Sequence, residues 1–137
     1  MIGTTVDNVR ELVLPRHVQA DGELVVLEQG VAVPFAVVRL FIVRAEEGAV
    51  RGRHAHRACT QLLVCVQGVI DVECDDGRGK RHFVLDSGFK GLLIPPGIWA
   101  SETYRDGAIL CVLCDRPYES DDYVRVYEDF LGLRAGS

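Results

Sequence analysis

The chain has 137 residues, of which 48% are hydrophobic, 26% charged and 7% aromatic. That length suits one compact domain, residues 1–137, and the apolar share is too high for a disordered chain. A formal net charge of -5 argues against a general nucleic-acid or anionic-membrane binder, since both need a cationic surface. Local arginines can still hold an anionic small molecule.

The opening stretch, MIGTTVDNVRELVLPRH, mixes acids with its apolar residues and shows no signal-peptide core. The longest uncharged stretch, Ala58 to Ile70, falls far short of the roughly 20 residues a membrane helix requires. A cytoplasmic location is expected.

From there on, short apolar runs alternate with turn signals. The runs are Leu24–Leu27, Phe35–Val43, Leu62–Val66, Val69–Cys74, His82–Leu85, Gly91–Ile94 and Ile109–Cys114. Between them lie Glu46-Glu47-Gly48, Gln67-Gly68, Asp75-Asp76-Gly77, Ser87-Gly88, Pro95-Pro96-Gly97 and Asp106-Gly107. Glycine tolerates the positive φ of tight turns, and the runs are rich in strand-forming residues. Many short strands at this spacing predict an antiparallel all-β sandwich or barrel rather than parallel βαβ units. The exception is SDDYVRVYEDFLG from Ser120, where Val124, Tyr127 and Leu131 fall on one helical face. Ser120 or Asp121 can cap that helix and Gly132 can end it.

The five cysteines are an odd number and sit mostly inside apolar runs, as reduced thiols do. Cys111 and Cys114 have C-x-x-C spacing, but within a strand they point to opposite faces, which suits neither zinc nor redox pairing.

Two of the four histidines form His54-Ala55-His56. In an extended strand such residues share a face, with Cβ atoms about 7 Å apart. If that face lines a barrel, both imidazoles enter one cavity; if it faces out, they are surface histidines between Arg53 and Arg57. Imidazole titrates near neutrality, so it can take a proton from carbon beside a carbonyl and return it elsewhere.

Gly52-Arg53-His54-Ala55-His56, followed by Gln61-Leu-Leu-Val-Cys-Val-Gln-Gly68, resembles the first motif of the cupin barrels, and Gly91-Leu-Leu-Ile-Pro-Pro-Gly97-Ile-Trp99 the second. The resemblance implies a double-stranded β-helix, or jelly-roll barrel. Metal-binding cupins complete the histidine pair with a glutamate and a further histidine. Here those places hold Thr60 or Gln61 and Ala100, and two imidazoles make a poor cage, so no metal is expected.

A narrower likeness follows. Arg51-Gly52-Arg53-His54-Ala55-His56, Asp75-Asp76-Gly77-Arg78, Pro96-Gly97-Ile98-Trp99 and the ending Tyr118 to Leu131 are similar to the sugar 3,4-ketoisomerases, the WxcM-like cupins. Pro34 to Arg39 also resembles their first long strand. This implies a homodimer without cofactor, acting on a dTDP-linked 4-keto-6-deoxyhexose in deoxysugar biosynthesis. The keto group moves from C4 to C3 through an enediol. The family's essential histidine aligns with His54, the implied base, with His56 as supporting acid or orienter.

Arg51 is a candidate for the diphosphate, because a guanidinium fork suits phosphate oxygens; the alternative is a solvated edge-strand charge. Trp99 can stack on thymine or sugar, or simply pack. Gln61 can bond a ligand from inside the barrel, or end its strand. The chain departs from the family at Asp21, where tyrosine or arginine is usual, at Ala100, usually histidine or arginine, and at Leu40-Phe41, often two tyrosines. Asp21 and Ala100 are expected beside the sugar, where the family's residues help choose the face of C4 that receives the proton. Their replacement leaves two alternatives: an epimerase-type proton transfer, or a non-catalytic sugar-nucleotide-binding cupin.

Overall fold

The computed structural model describes residues 3–136. In chain order the strands are β1 (Arg10–Val13), β2 (Arg16–Gln19), β3 (Gly22–Val25), β4 (Arg39–Arg44) and β5 (Val50–His56). They continue with β6 (Gln61–Asp75), β7 (Lys80–Leu85), β8 (Lys90–Ile94), β9 (Trp99–Cys114) and β10 (Tyr123–Val124), before the helix α1 (Tyr127–Ala135). One sheet runs β1-β8-β6-β9-β5-β10, with β4 added to β9 and β7 to β6, while β2 and β3 form a separate hairpin. Every strand pairing is antiparallel. This is the expected all-β cupin barrel with one short C-terminal helix.

Two long strands organise it. β6 and β9 pair from Gln61↔Cys114 to Asp75↔Trp99, with register shifts on either side of Gln67. Gln67-Gly68 and Asp106-Gly107, expected as turns, are instead bends within continuous strands. Gly68 has φ 75°, and a Cβ there would lie 2.7 Å from the backbone of Asp106 and Ala108. Glycine at a close backbone approach makes a bulge that bends a strand without ending it. The bulge also changes which residues face the core. Before it, Leu63 and Cys65 point into the main cluster; after it, Ile70, Val72 and Cys74 do. A one-residue slip keeps both halves of β6 apolar on the inside.

The outer face of the same strands is covered as well, by Leu14 and Val33 packing on Leu62, Val64, Leu93 and Leu113. Cys114 joins the inner cluster and Cys111 packs against the outer one, as strand alternation requires. All five cysteines are free.

The C-terminal segment differs from the sequence expectation. Ser120–Asp122 is a single 3-10 turn, Tyr123–Val124 pairs with Ala55 and His56 of β5, and the helix begins at Tyr127. It passes through Gly132 to Ala135, and Phe130, not Leu131, is its fully buried residue. Val124 is buried too, but by strand pairing, which supplies its backbone partners more directly than a helical turn does. Phe130 and Val124 pack on Ala55, with Trp99, Tyr127 and Leu133 around them. Among the described residues no helix is long and apolar enough to cross a membrane.

Candidate active site

β5 carries the histidine pair, and a bulge decides where they point. Gly52 lies opposite Ser101 and His54 opposite Ala100, so Arg53 is an extra residue. Gly52 has φ 79° and Arg53 φ 57°, both left-handed. Only glycine adopts that region without penalty, so holding Arg53 there costs about 1 kcal/mol, offset by the surrounding pairing. The slip turns His54 and His56 inward together and leaves Arg53 exposed.

The two rings meet edge to face with centroids 5.0 Å apart. They line a cleft at the barrel mouth with Cys59, Gln61, Leu63, Ile94, Pro95, Ile98, Ala100 and Glu102. Tyr123, delivered by β10, stands 5.0 Å from the His54 ring and 4.5 Å from the His56 ring. Its hydroxyl accepts from Arg39 Nη2 at 3.1 Å.

Asp122 fixes His56. Its Oδ2 lies 2.7 Å from His56 Nδ1, while its Oδ1 accepts from the Ala58 amide at 2.6 Å. Burial opposes the carboxylate, yet the bonds from His56 and Ala58 hold it below the usual carboxyl range. The opposite nitrogen, His56 Nε2, is buried without a partner. With the proton on Nδ1, that nitrogen keeps its lone pair for a ligand.

Burial and the neighbouring His56 push His54 down to about 4, so its ring is neutral at physiological pH. His56 is also lowered, by burial, with Asp122 pulling the other way. In contrast, burial raises Glu102 to about 7, only partly offset by the charge of Arg51. Glu102 Oε2 is sealed from solvent and has no hydrogen-bond partner.

Several residues singled out in the sequence meet in this cleft: His54, His56, Gln61 and Ala100. Gln61 is buried and donates to Cys114 Sγ at 3.5 Å. Arg51 lies across from Glu102 on the neighbouring strand, with its side chain exposed. Trp99 stands outside the cleft lining, against Tyr127 and Phe130 at 5.2 and 5.6 Å between ring centroids. Asp21 stands in the exposed turn between β2 and β3, outside the lining. Phe41 packs against the inner core while Leu40 is exposed.

Sequence reasoning missed Glu102, Asp122 and Tyr123. Alternation along a strand beginning at Trp99 puts Glu102 on the same face as Ala100, a signal obscured by starting that strand at Ile109. Nothing local marks Asp122, whose bond to His56 spans 66 positions.

Among the described residues, the one set of three ligand-type side chains drawn together is His56, Cys59 and Asp122, with donor atoms within 4.8 Å. This set is a poor fit for a cation. His56 and Asp122 are bonded to each other, and the Cys59 thiol donates to the Thr60 carbonyl at 3.4 Å. Neither His54 nor Glu102 belongs to it.

A family model described as FdtA, WxcM-like, C-terminal matches residues 7–135. The chain belongs to that family. It is 32% identical over 115 residues to a TDP-4-oxo-6-deoxy-alpha-D-glucose-3,4-oxoisomerase from Aneurinibacillus thermoaerophilus, covering 82% of this chain and 83% of the relative. The TDP-quinovose 3,4-ketoisomerase WlaRB of Campylobacter jejuni superposes with a TM-score of 0.85 at 30% identity, over 90% of this chain and 97% of that one. QdtA, a sugar 3,4-ketoisomerase from Thermoanaerobacterium thermosaccharolyticum in complex with TDP, shares the fold at TM-score 0.92 and 23% identity, covering 96% and 98%. A 4-keto-6-deoxy sugar epimerase from Streptomyces spheroides superposes less well, at 0.75 and 17% identity over 85% of this chain and 68% of the other.

Proposed function

We propose that this protein moves the keto group of a TDP-linked 4-keto-6-deoxyhexose from C4 to C3. The observation that carries the reading is the convergence of His54 and His56 in one cleft, in a chain of the FdtA, WxcM-like family whose compared relatives include 3,4-ketoisomerases. The C4 carbonyl acidifies the C3 proton, His54 removes it, and the resulting enediol is reprotonated at C4. His56, oriented by Asp122, presents its partner-free Nε2 lone pair to accept a hydrogen bond from a sugar hydroxyl. Arg51, exposed at the cleft side of β5, is assigned to the diphosphate. Trp99, although it packs on α1, is half-buried, so its free edge is assigned to the base or sugar.

The test is incubation with TDP-4-keto-6-deoxyglucose in heavy water. A 3-keto product, its formation abolished in His54→Asn, supports the isomerase. Deuterium at C5 instead makes the protein an epimerase. Tight TDP binding with neither a 3-keto product nor exchange at any carbon makes it a binding cupin, the reading that Ala100 in place of a donor favours.

We infer also that residues 1–137 act as one cupin domain, in the cytoplasm, as a homodimer. Free thiols suit a reducing compartment. The dimer reading rests on β4, whose partner among the described strands is β9 alone, and on Val38 just before it and its outward residues Leu40 and Ile42, which are 56%, 53% and 61% exposed. Apolar side chains in a row on an edge strand favour a second copy over water. Ile42→Glu is expected to shift the mass in solution from dimer to monomer; a wild-type monomer would refute it.

A further inference from the structure

We propose that Glu102 is the second catalytic group of this site, its carboxyl exchanging protons with the two hexose oxygens while His54 carries a proton between the two carbons. The inference rests on the ketoisomerase reading and assigns a role that the histidines alone leave open.

Glu102 stands one pleat from Ala100 on β9, and both line the cleft with His54 and His56. Ala100 directly faces His54 across the β5–β9 pair, so the position nearest the base has no polar group. Glu102 is the carboxyl that β9 adds to the same cleft lining. The chain makes room for it: a Cβ on Gly52 would collide with Glu102 Oε2 and lie 3.0 Å from the Ala100 carbonyl. A buried carboxyl oxygen with no donor beside it is costly to fold, which marks it as a group held for a ligand.

The charged and titratable groups facing it agree with that role. Arg51 on β5 is the cation acting on it. Cys74 on β6 and Tyr104 on β9 are both pushed up by burial and by the charge of Glu102, so both stay protonated at neutral pH. Burial lifts Glu102 to about 7, while His54 is lowered to about 4. Near neutrality a large fraction of Glu102 is therefore an acid in the same cleft as a base that is not protonated, the opposed pair that proton exchange needs.

The step balances. The His54 ring nitrogen takes the C3 proton, and the C3–H electron pair becomes the C3=C4 bond. The C4 carbonyl π pair takes the proton from Glu102, leaving an enediol, an imidazolium and a carboxylate. The carboxylate then removes the proton from the C3 hydroxyl, whose pair forms the C3 carbonyl. The C3=C4 pair takes the imidazolium proton at C4. C4 is reduced, C3 is oxidised, and both side chains return to their starting states with no other reactant.

The experiment measures turnover of TDP-4-keto-6-deoxyglucose across pH for wild type, Glu102→Gln and Glu102→Ala, with TDP affinity and melting temperature recorded alongside. Wild-type kcat/KM is expected to fall above about pH 7 as the acid is lost. Glu102→Gln is expected to lose roughly 10²-fold or more in kcat, and the alkaline limb with it, while TDP affinity stays within about threefold. Formate is expected to restore part of the activity of Glu102→Ala. An active wild type with kcat/KM flat to roughly pH 9 overturns the proposal even if neither variant folds. So does a Glu102→Gln variant with wild-type kcat. A wild type that forms no 3-keto product from the 4-keto sugar overturns the ketoisomerase reading itself, and this inference with it.

Discussion

His56 Nδ1 lies 2.7 Å from Asp122 Oδ2, joining the histidine strand to a turn near the C-terminus. The bond fixes the proton on Nδ1 and the lone pair on Nε2. Neither ring nitrogen can be chosen by His56 alone, because the tautomers of a free imidazole interconvert readily.

Asp122→Asn removes the charge that holds this tautomer. The expected result is a kcat lower by roughly ten- to a hundredfold with KM little changed, as for other residues that orient a working histidine. Steady-state kinetics check it; a kcat within twofold of wild type would show that the contact is structural only.

Activity should persist to unusually low pH. The folded value for His54 is about 4 against an ordinary 6.5, so the base stays deprotonated through the window in which a solvated histidine becomes charged. The linkage runs the same way: between those two values the unfolded chain binds the extra proton, so stability falls as pH drops from 6.5 towards 4. The acid limb of kcat/KM is therefore expected near the onset of acid unfolding. A limb centred at 6.5, with the protein still folded, would mean that the ring is hydrated or that another group is the base.

Gly52→Ala should disable the site. The backbone is left-handed there, and the new methyl would strike Glu102 Oε2 and press on the Ala100 carbonyl. Turnover is expected to fall by at least roughly tenfold, with a melting temperature lower by several degrees, as strain of about 1–3 kcal/mol implies. Arg53→Gly, one residue on, relieves a left-handed residue instead and should leave the protein as stable or more so.

Exhaustive dialysis against a chelator should leave turnover unchanged. The clustered donors His56, Cys59 and Asp122 are already bonded within the protein, and neither His54 nor Glu102 belongs to that cluster. Loss of activity on chelation, restored by a stoichiometric divalent ion, would contradict a mechanism carried by side chains alone.

Much of the barrel follows from local sequence. Apolar runs and glycine turns mark the strands because side-chain alternation and positive φ are properties of neighbouring residues. The same alternation predicts that Cys111 and Cys114 diverge, and the motif around His54 and His56 places them together. The presence of Ala100 in place of a donor is likewise legible one residue at a time.

Tertiary pairing decided the rest. Gln67-Gly68 reads as a turn on its own, but β9 runs alongside both flanking segments and holds them as one bent strand. SDDYV reads as a helix start, but β5 offers Tyr123 and Val124 backbone partners and delays the helix to Tyr127. Whether an aspartate on that turn, or a glutamate beyond an alanine, meets a histidine depends on contacts between segments distant in sequence. Their burial and charge are set by what folds over them, and no window of neighbouring residues contains that information.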